Sequence, residues 1–134
     1  LDLIAELVAD SGMALILISH DLGVIAENVA RMLVMYGGSV VESGPTEAVF
    51  GRLAHPYSQG LFAARPKLGA VRGTRLDTIP GLVPELVDLP PGCPFADRCR
   101  LAIDACREAP PPPLPVGPDH LARCIRLDAA LAGR

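Results

Sequence analysis

Residues 13–22 read Met-Ala-Leu-Ile-Leu-Ile-Ser-His-Asp-Leu, and the fold class turns on them. Six apolar residues in a row, Met13 to Ile18, predict a strand buried on both faces, the kind found in parallel sheets. The run is too short to cross a membrane. Asp21 is a good N-cap for a helix from about Leu22 to Arg31. His20 then falls at the carboxyl end of a buried strand, where open α/β sheets place their ligands. Upstream, apolar residues at 1, 4, 5 and 8 mark one face of a helix that Gly12 stops. Helix, turn, buried strand, helix is the repeat of an α/β fold. A doubly buried strand needs parallel neighbours and only one helix precedes it, so the sequence reads as starting inside a domain.

Downstream, Met32–Tyr36 predicts a second strand, Gly37-Gly38 a tight turn and Ser39–Glu42 a third strand. Ser43-Gly44-Pro45 reads as a turn, and Thr46 as the cap of a short helix through Leu53. Pro56 suits the first turn of another helix, which Pro66 ends after Arg65. Ile18-Ser19-His20-Asp21-Leu22 resembles the switch-histidine segment of ABC-type ATPases. The runs Arg31–Gly38 and Val40–Pro45 are similar to the closing strands of that domain. The resemblance implies that His20 contacts the γ-phosphate of ATP and helps place the attacking water. A neutral imidazole suits that role, because one ring nitrogen can donate while the other is held by a neighbour. His55-Pro56-Tyr57 resembles the signature that opens the C-terminal extension of ATPase subunits in oligopeptide and dipeptide importers. No chemistry is assigned to His55 or Tyr57.

Composition limits the classes. Half of the 134 residues are hydrophobic but only 4% are aromatic, so the core must be built from Leu, Val, Ile and Ala. The net charge of −3 and the absence of a basic tract argue against nucleic acid. The first residues lack a basic n-region and no stretch is a transmembrane helix. The expectation is a cytoplasmic protein without direct membrane insertion, attached peripherally through a partner.

From Lys67 the composition changes. Residues 67–79 read as a linker with an extended piece at Arg75–Ile79, and 11 of 14 prolines lie between Pro80 and Pro118. Pro110–Pro113 favours polyproline II, and so much proline predicts a largely irregular tail. That tail holds every cysteine: Cys93, Cys99, Cys106 and Cys124. Disulfides, a zinc site, unliganded thiols and a Cys-ligated iron–sulfur cluster are the competing readings. No secretion signal supports disulfides, and no Cys-x(2–4)-Cys knuckle supports zinc. Wide, uneven gaps suit a bulky cluster, and metal binding can supply folding free energy that such a tail lacks. Cys93–Arg126 also holds Arg98, Arg100, Arg107, Arg123 and Arg126, which would compensate an anionic centre and lower the thiol pKa values. His120 stands four residues before Cys124 and is expected to be a bystander.

Ile79–Pro84 and Leu89–Cys99 are similar to the tail of the same importer ATPases. Some members of that family hold a [4Fe–4S] cluster on these four cysteines, with a structural or regulatory role. The family pattern is incomplete here. The sequence has no Gly-x-x-x-x-Gly-Lys-Ser/Thr loop, no glycine-rich signature and no strand ending in Asp-Glu. Without those groups His20 cannot support phosphoryl transfer. The expectation is therefore an α/β fold. Residues 1–54 form the C-terminal edge of a P-loop NTPase (ABC ATPase) parallel sheet, and residues 55–134 form a mostly irregular, proline-rich, cysteine-bearing extension. The intact subunit would use ATP and Mg, pair with a second ATPase subunit and drive membrane permease subunits fed by a binding protein. The piece alone would be inactive. The rival expectations are a free-standing iron–sulfur or zinc module, or a metal-free interaction or dimerisation piece.

Overall fold

A computed structural model describes residues 2–64 and 78–133, so most of the expected linker, including Arg75–Asp77, lies outside the described residues. The chain is mixed α/β. Its centre is a hairpin of β1 (Arg31–Tyr36) and β2 (Ser39–Pro45), paired antiparallel from Arg31↔Pro45 to Tyr36↔Ser39 with a slip between Val34 and Met35. Gly37 and Gly38 turn it with φ of 52° and 73°. Two successive left-handed residues give the turn whose twist matches paired strands, and glycine adopts them without steric cost. Period-two alternation along β1 buries Met32, Val34 and Tyr36 and exposes Arg31, Leu33 and Met35.

Helices α1 (Asp2–Ser11) and α2 (Leu22–Asn28) precede the hairpin, and α3 (Thr46–Gly51) and α4 (Pro56–Ala63) follow it. Asp21 caps α2 as expected, its carboxylate accepting from Gly23 N at 2.8 Å and Val24 N at 3.3 Å. The helix stops at Asn28 rather than Arg31, because Val29 is already extended and Arg31 opens β1. The core gathers Ile25, Met32, Val34, Val41, Val49 and Leu53 with Tyr36 and Phe95.

Four expectations need correction. Met13–Ile18 forms no strand, and Ile16 and Ile18 stay 88% and 93% exposed. A strand is held by ladder bonds to its neighbours, and the described residues provide no parallel partner for this one. Every pairing in the sheet is antiparallel, so a parallel edge is not what the described residues form. Ser43-Gly44-Pro45 is not a turn but the end of β2. Thr46 does not cap α3: Pro45 holds that position without a side-chain bond, and Thr46 Oγ1 is buried without a partner among the described residues.

The tail is also more regular than its prolines suggest. It contains a 3-10 turn (Ala96–Arg98), α5 (Ala105–Glu108), β3 (Leu114–Gly117), β4 (His120–Ala122) and α6 (Leu127–Ala132). β4 pairs antiparallel with β2 through Glu42↔Ala122 and Ser43↔Leu121, and β3 pairs with β4. The strand order is β1-β2-β4-β3. Proline is tolerated because Pro115 sits on the edge strand β3, while β4, the inner tail strand, has none. The sheet therefore joins residues on both sides of position 55.

Candidate functional site

The four cysteines are brought together by short local hydrogen bonds. Cys93 N donates to Cys106 O at 2.8 Å, tying the loop after Gly92 to α5. A Cβ on Gly92 would fall on the backbone of Cys106 and Arg107, 2.6 Å from Arg107 Cα, so only glycine permits this approach. Ala96 N donates to Cys93 O and Cys99 N to Ala96 O, which curls Cys99 back towards Cys93. Cys124 lies two residues past the end of β4. All four thiols line one small cavity of about 10 Å³, together with His55, Phe95, Pro111 and Arg126. That is room for roughly one water. Among the described residues no three of His, Cys, Asp or Glu are grouped so as to hold a metal ion. The thiols thus share a cavity without closing into a compact single-ion shell.

The expected electrostatics of the thiols are reversed. Burial pushes the Cys93 and Cys99 thiols up, and pushes Cys124 up to about 11. The arginines do not offset this, because most are engaged elsewhere. Arg98 donates to Pro80 O and Ile79 O and lies over the Tyr36 ring, 5.8 Å from its centroid. Arg107 pairs with Asp97, Arg123 donates to Pro111 O, and Arg100 donates to Gln59 Oε1. Arg100 lowers the Cys99 thiol, but less than burial raises it. Arg126 is different: its Nε is buried with no hydrogen-bond partner among the described residues, and the residue lines the cysteine cavity.

Beside the cavity lies a buried polar node that the sequence reading missed. Glu42, 1% exposed at the centre of β2, accepts from Ala54 N at 2.7 Å, His55 N at 3.0 Å and His120 Nε2 at 2.8 Å. His120 is 2% exposed, and it stands on this carboxylate. His55 Nδ1 accepts from Tyr57 N at 3.1 Å and so caps α4. Burial lowers the His55 pKa to about 4, only partly opposed by a hydrogen bond to the Arg123 backbone. Tyr57 packs with Tyr36 and Phe95, ring centroids 4.7 Å and 5.4 Å away. One signal pointed to the node: an acidic residue inside a strand whose other inward positions are apolar.

His20 is exposed and immediately precedes the Asp21 cap of α2. Ser19 Oγ accepts from Asp21 N at 3.0 Å, which fixes the turn carrying it. The structure therefore does not bring His20 together with the cysteines as one site.

Comparison with known proteins places this architecture. Residues 41–106 match the family described as oligopeptide/dipeptide transporter, C-terminal region, a stretch holding Glu42, His55 and three of the four cysteines. A protein of Brucella ovis named as a peptide import ATP-binding protein is 48% identical over 131 residues, covering 94% of this chain and 39% of its own length. The oligopeptide transport ATP-binding protein OppD of Mycobacterium tuberculosis is 49% identical over 118 residues, 88% of this chain and 19% of its own. The chain thus spans about two fifths of the length of the first relative and about one fifth of the second. With residues 41–106 matched to it and relatives named as peptide-transport ATP-binding proteins along nearly its whole length, the chain carries the oligopeptide/dipeptide transporter C-terminal region.

Proposed function

We propose that these residues are the C-terminal part of an ATP-hydrolysing subunit that energises di- or oligopeptide import. Residues 1–54 close the ATPase domain and residues 55–134 form its extension. The 48% identity along 94% of the chain to a peptide import ATP-binding protein carries this reading. In the intact subunit His20 would contact the γ-phosphate of Mg-bound ATP and orient the attacking water, working with groups these residues do not contain. Membrane permease subunits and a second ATPase subunit are the implied partners, which puts the subunit on the cytoplasmic face of the membrane. The apolar side chains of Leu15, Ile16 and Ile18, exposed here, fit a strand completed by the rest of such a domain. The test is peptide uptake and ATP turnover by the longer subunit with its permeases in vesicles. His20→Ala should cut turnover about 100-fold or more. Unchanged turnover refutes the role of His20. The 134-residue chain alone should show no turnover.

Cys93, Cys99, Cys106 and Cys124 are the residues that would hold a [4Fe–4S] cluster. The support is the donor type, four cysteines lining one cavity, whereas no three potential ligands among the described residues are grouped to hold a metal ion. When bound, the cluster would cross-link four points of the tail. This chain's residues would supply the thiolates, exclude water and carry the fold around them. Anaerobic purification with iron and sulfide quantification tests it, and each Cys→Ser change should reduce both. Stoichiometric zinc without sulfide would favour the zinc alternative instead.

A further inference from the structure

Cys99 lines two cavities: the small one shared with the other cysteines, and a larger, half-open one of about 450 Å³ that the other three do not line. Small-ligand sites run from roughly 300 to 1,000 Å³ and combine apolar walls with a few polar groups. Pro56, Ile79, Pro80 and Phe95 give this cavity its apolar lining, and Gln59 and Arg100 stand among its polar residues. Its walls are held in place by the fold. Arg98 ties the loop to the sheet, donating from Nε to Pro80 O at 2.7 Å, from Nη2 to Ile79 O at 3.0 Å and from Nη1 to Tyr36 Oη at 3.2 Å. Gly60 lets Ile79 close on α4, since a Cβ there would stand 2.8 Å from Ile79 Cγ1. Gln59 donates from its amide nitrogen to Leu53 O at 3.1 Å and Ala130 O at 2.9 Å, which orients Oε1 to accept from Arg100 Nη2 at 3.3 Å. Arg100 is thereby fixed at the cavity by a neutral partner, with no carboxylate against it among the described residues. Asp97, which also lines the cavity, is paired with Arg107. The uncompensated charge at the cavity is therefore positive.

We propose that this cavity binds a short peptide, its terminal carboxylate on the Arg100 guanidinium and an apolar side chain against Pro56, Ile79 and Phe95. A guanidinium meets a carboxylate through paired N–H donors, and the charge strengthens each bond. The apolar lining adds burial that an inorganic anion could not use. The carboxylate site stands on the cavity itself. The choice of a peptide as its source rests on the import reading above, in which short peptides are the cargo.

The experiment is a calorimetric titration of the metal-free 134-residue chain with alanyl-phenylalanine, its C-terminal amide and inorganic phosphate. The dipeptide should bind with a dissociation constant of about 1 mM or below. The amide, which lacks the anion, should bind about tenfold more weakly. Arg100→Gln should weaken the dipeptide about tenfold as well, and Arg100→Lys, which keeps the charge but not the paired donors, should fall between. Ala63→Phe, which fills part of the cavity from α4, should weaken it without touching Arg100. Urea midpoints check that each variant is folded. The dipeptide should also slow iodoacetamide alkylation of Cys99 and leave that of Cys93 unchanged, read by mass spectrometry. No heat and no protection of Cys99 at about 10 mM dipeptide overturn the proposal. So does binding that Arg100→Gln and Ala63→Phe leave unaltered. Phosphate binding that Arg100→Gln removes, with no dipeptide binding, overturns the peptide assignment in favour of a simple anion site. Absence of peptide uptake by the longer subunit would sink the import reading and leave these affinities as measured.

Discussion

Replacing Glu42 should have a large effect on stability, and its size can be worked from the three donors that meet the carboxylate. Glu42→Ala leaves Ala54 N, His55 N and His120 Nε2 without their acceptor in a region closed to solvent. Each buried donor left unpaired costs about 1–3 kcal/mol. Water entering the new cavity recovers some of this, so a loss of about 5 kcal/mol is expected, in line with breaking a buried pair. That approaches the whole stability of a small domain. Glu42→Gln separates charge from geometry. Its amide oxygen can take the place of Oε1, keeping Ala54 N and His120 Nε2, but its amino group then meets His55 N, donor against donor. The expected loss is about 2 kcal/mol. Urea unfolding followed by far-UV circular dichroism gives both values. Amide exchange at Ala54 and His55 should accelerate in both variants, and at Ala54 more in Glu42→Ala. A Glu42→Ala protein within about 1 kcal/mol of wild type would show that the node is incidental.

Other perturbations follow from the same geometry. The folded His55 pKa of about 4, against 6.5 for the free side chain, means that the folded state resists protonation. Its contribution is intact above pH 6.5 and is lost as pH falls towards 4, in all about 3 kcal/mol by proton linkage; the urea midpoint should fall across that window, with a shallower slope in His55→Asn. In the metal-free chain Cys124, pushed up to about 11, is about one part in a thousand thiolate at pH 8, so iodoacetamide should label it about 100-fold more slowly than in the unfolded chain. Gly92→Ala drives a methyl into the Cys106–Arg107 backbone and should unfold the cysteine loop, read as loss of iron uptake together with rapid thiol labelling.

Much of the fold was legible in the sequence where local chemistry decides. The two glycines set the hairpin, Asp21 capped its helix, and Pro56 opened α4. What failed was non-local. The apolar run at 13–18 carries the pattern of a central strand, but a pattern cannot supply the neighbours that make one, and its side chains are left mostly exposed. The tail strands were missed because proline was counted over the whole tail rather than placed. β4 is three residues long, and its partner lies about eighty residues earlier. At the candidate site the four cysteines line one cavity, but no three potential ligands among the described residues are grouped to hold the metal centre that their spacing suggested. The arginine count was misleading, because it cannot show which guanidinium groups are already occupied. Glu42 was read only as the end of a strand and His120 as a bystander to the cysteines, and only the pairing of β2 with β4 puts them 2.8 Å apart.

The position of β2 between β1 and β4 has a consequence for synthesis. The hairpin is complete once residue 45 has left the ribosome, yet the strand that covers the far edge of β2 ends at residue 122. During that interval a row of backbone donors and acceptors is open to any extended chain nearby, and Glu42 awaits its histidine. Closing so distant a contact is slow compared with forming the hairpin. Nascent chains stalled before residue 120 should therefore be the ones that aggregate, and release past Ala122 should end that vulnerability.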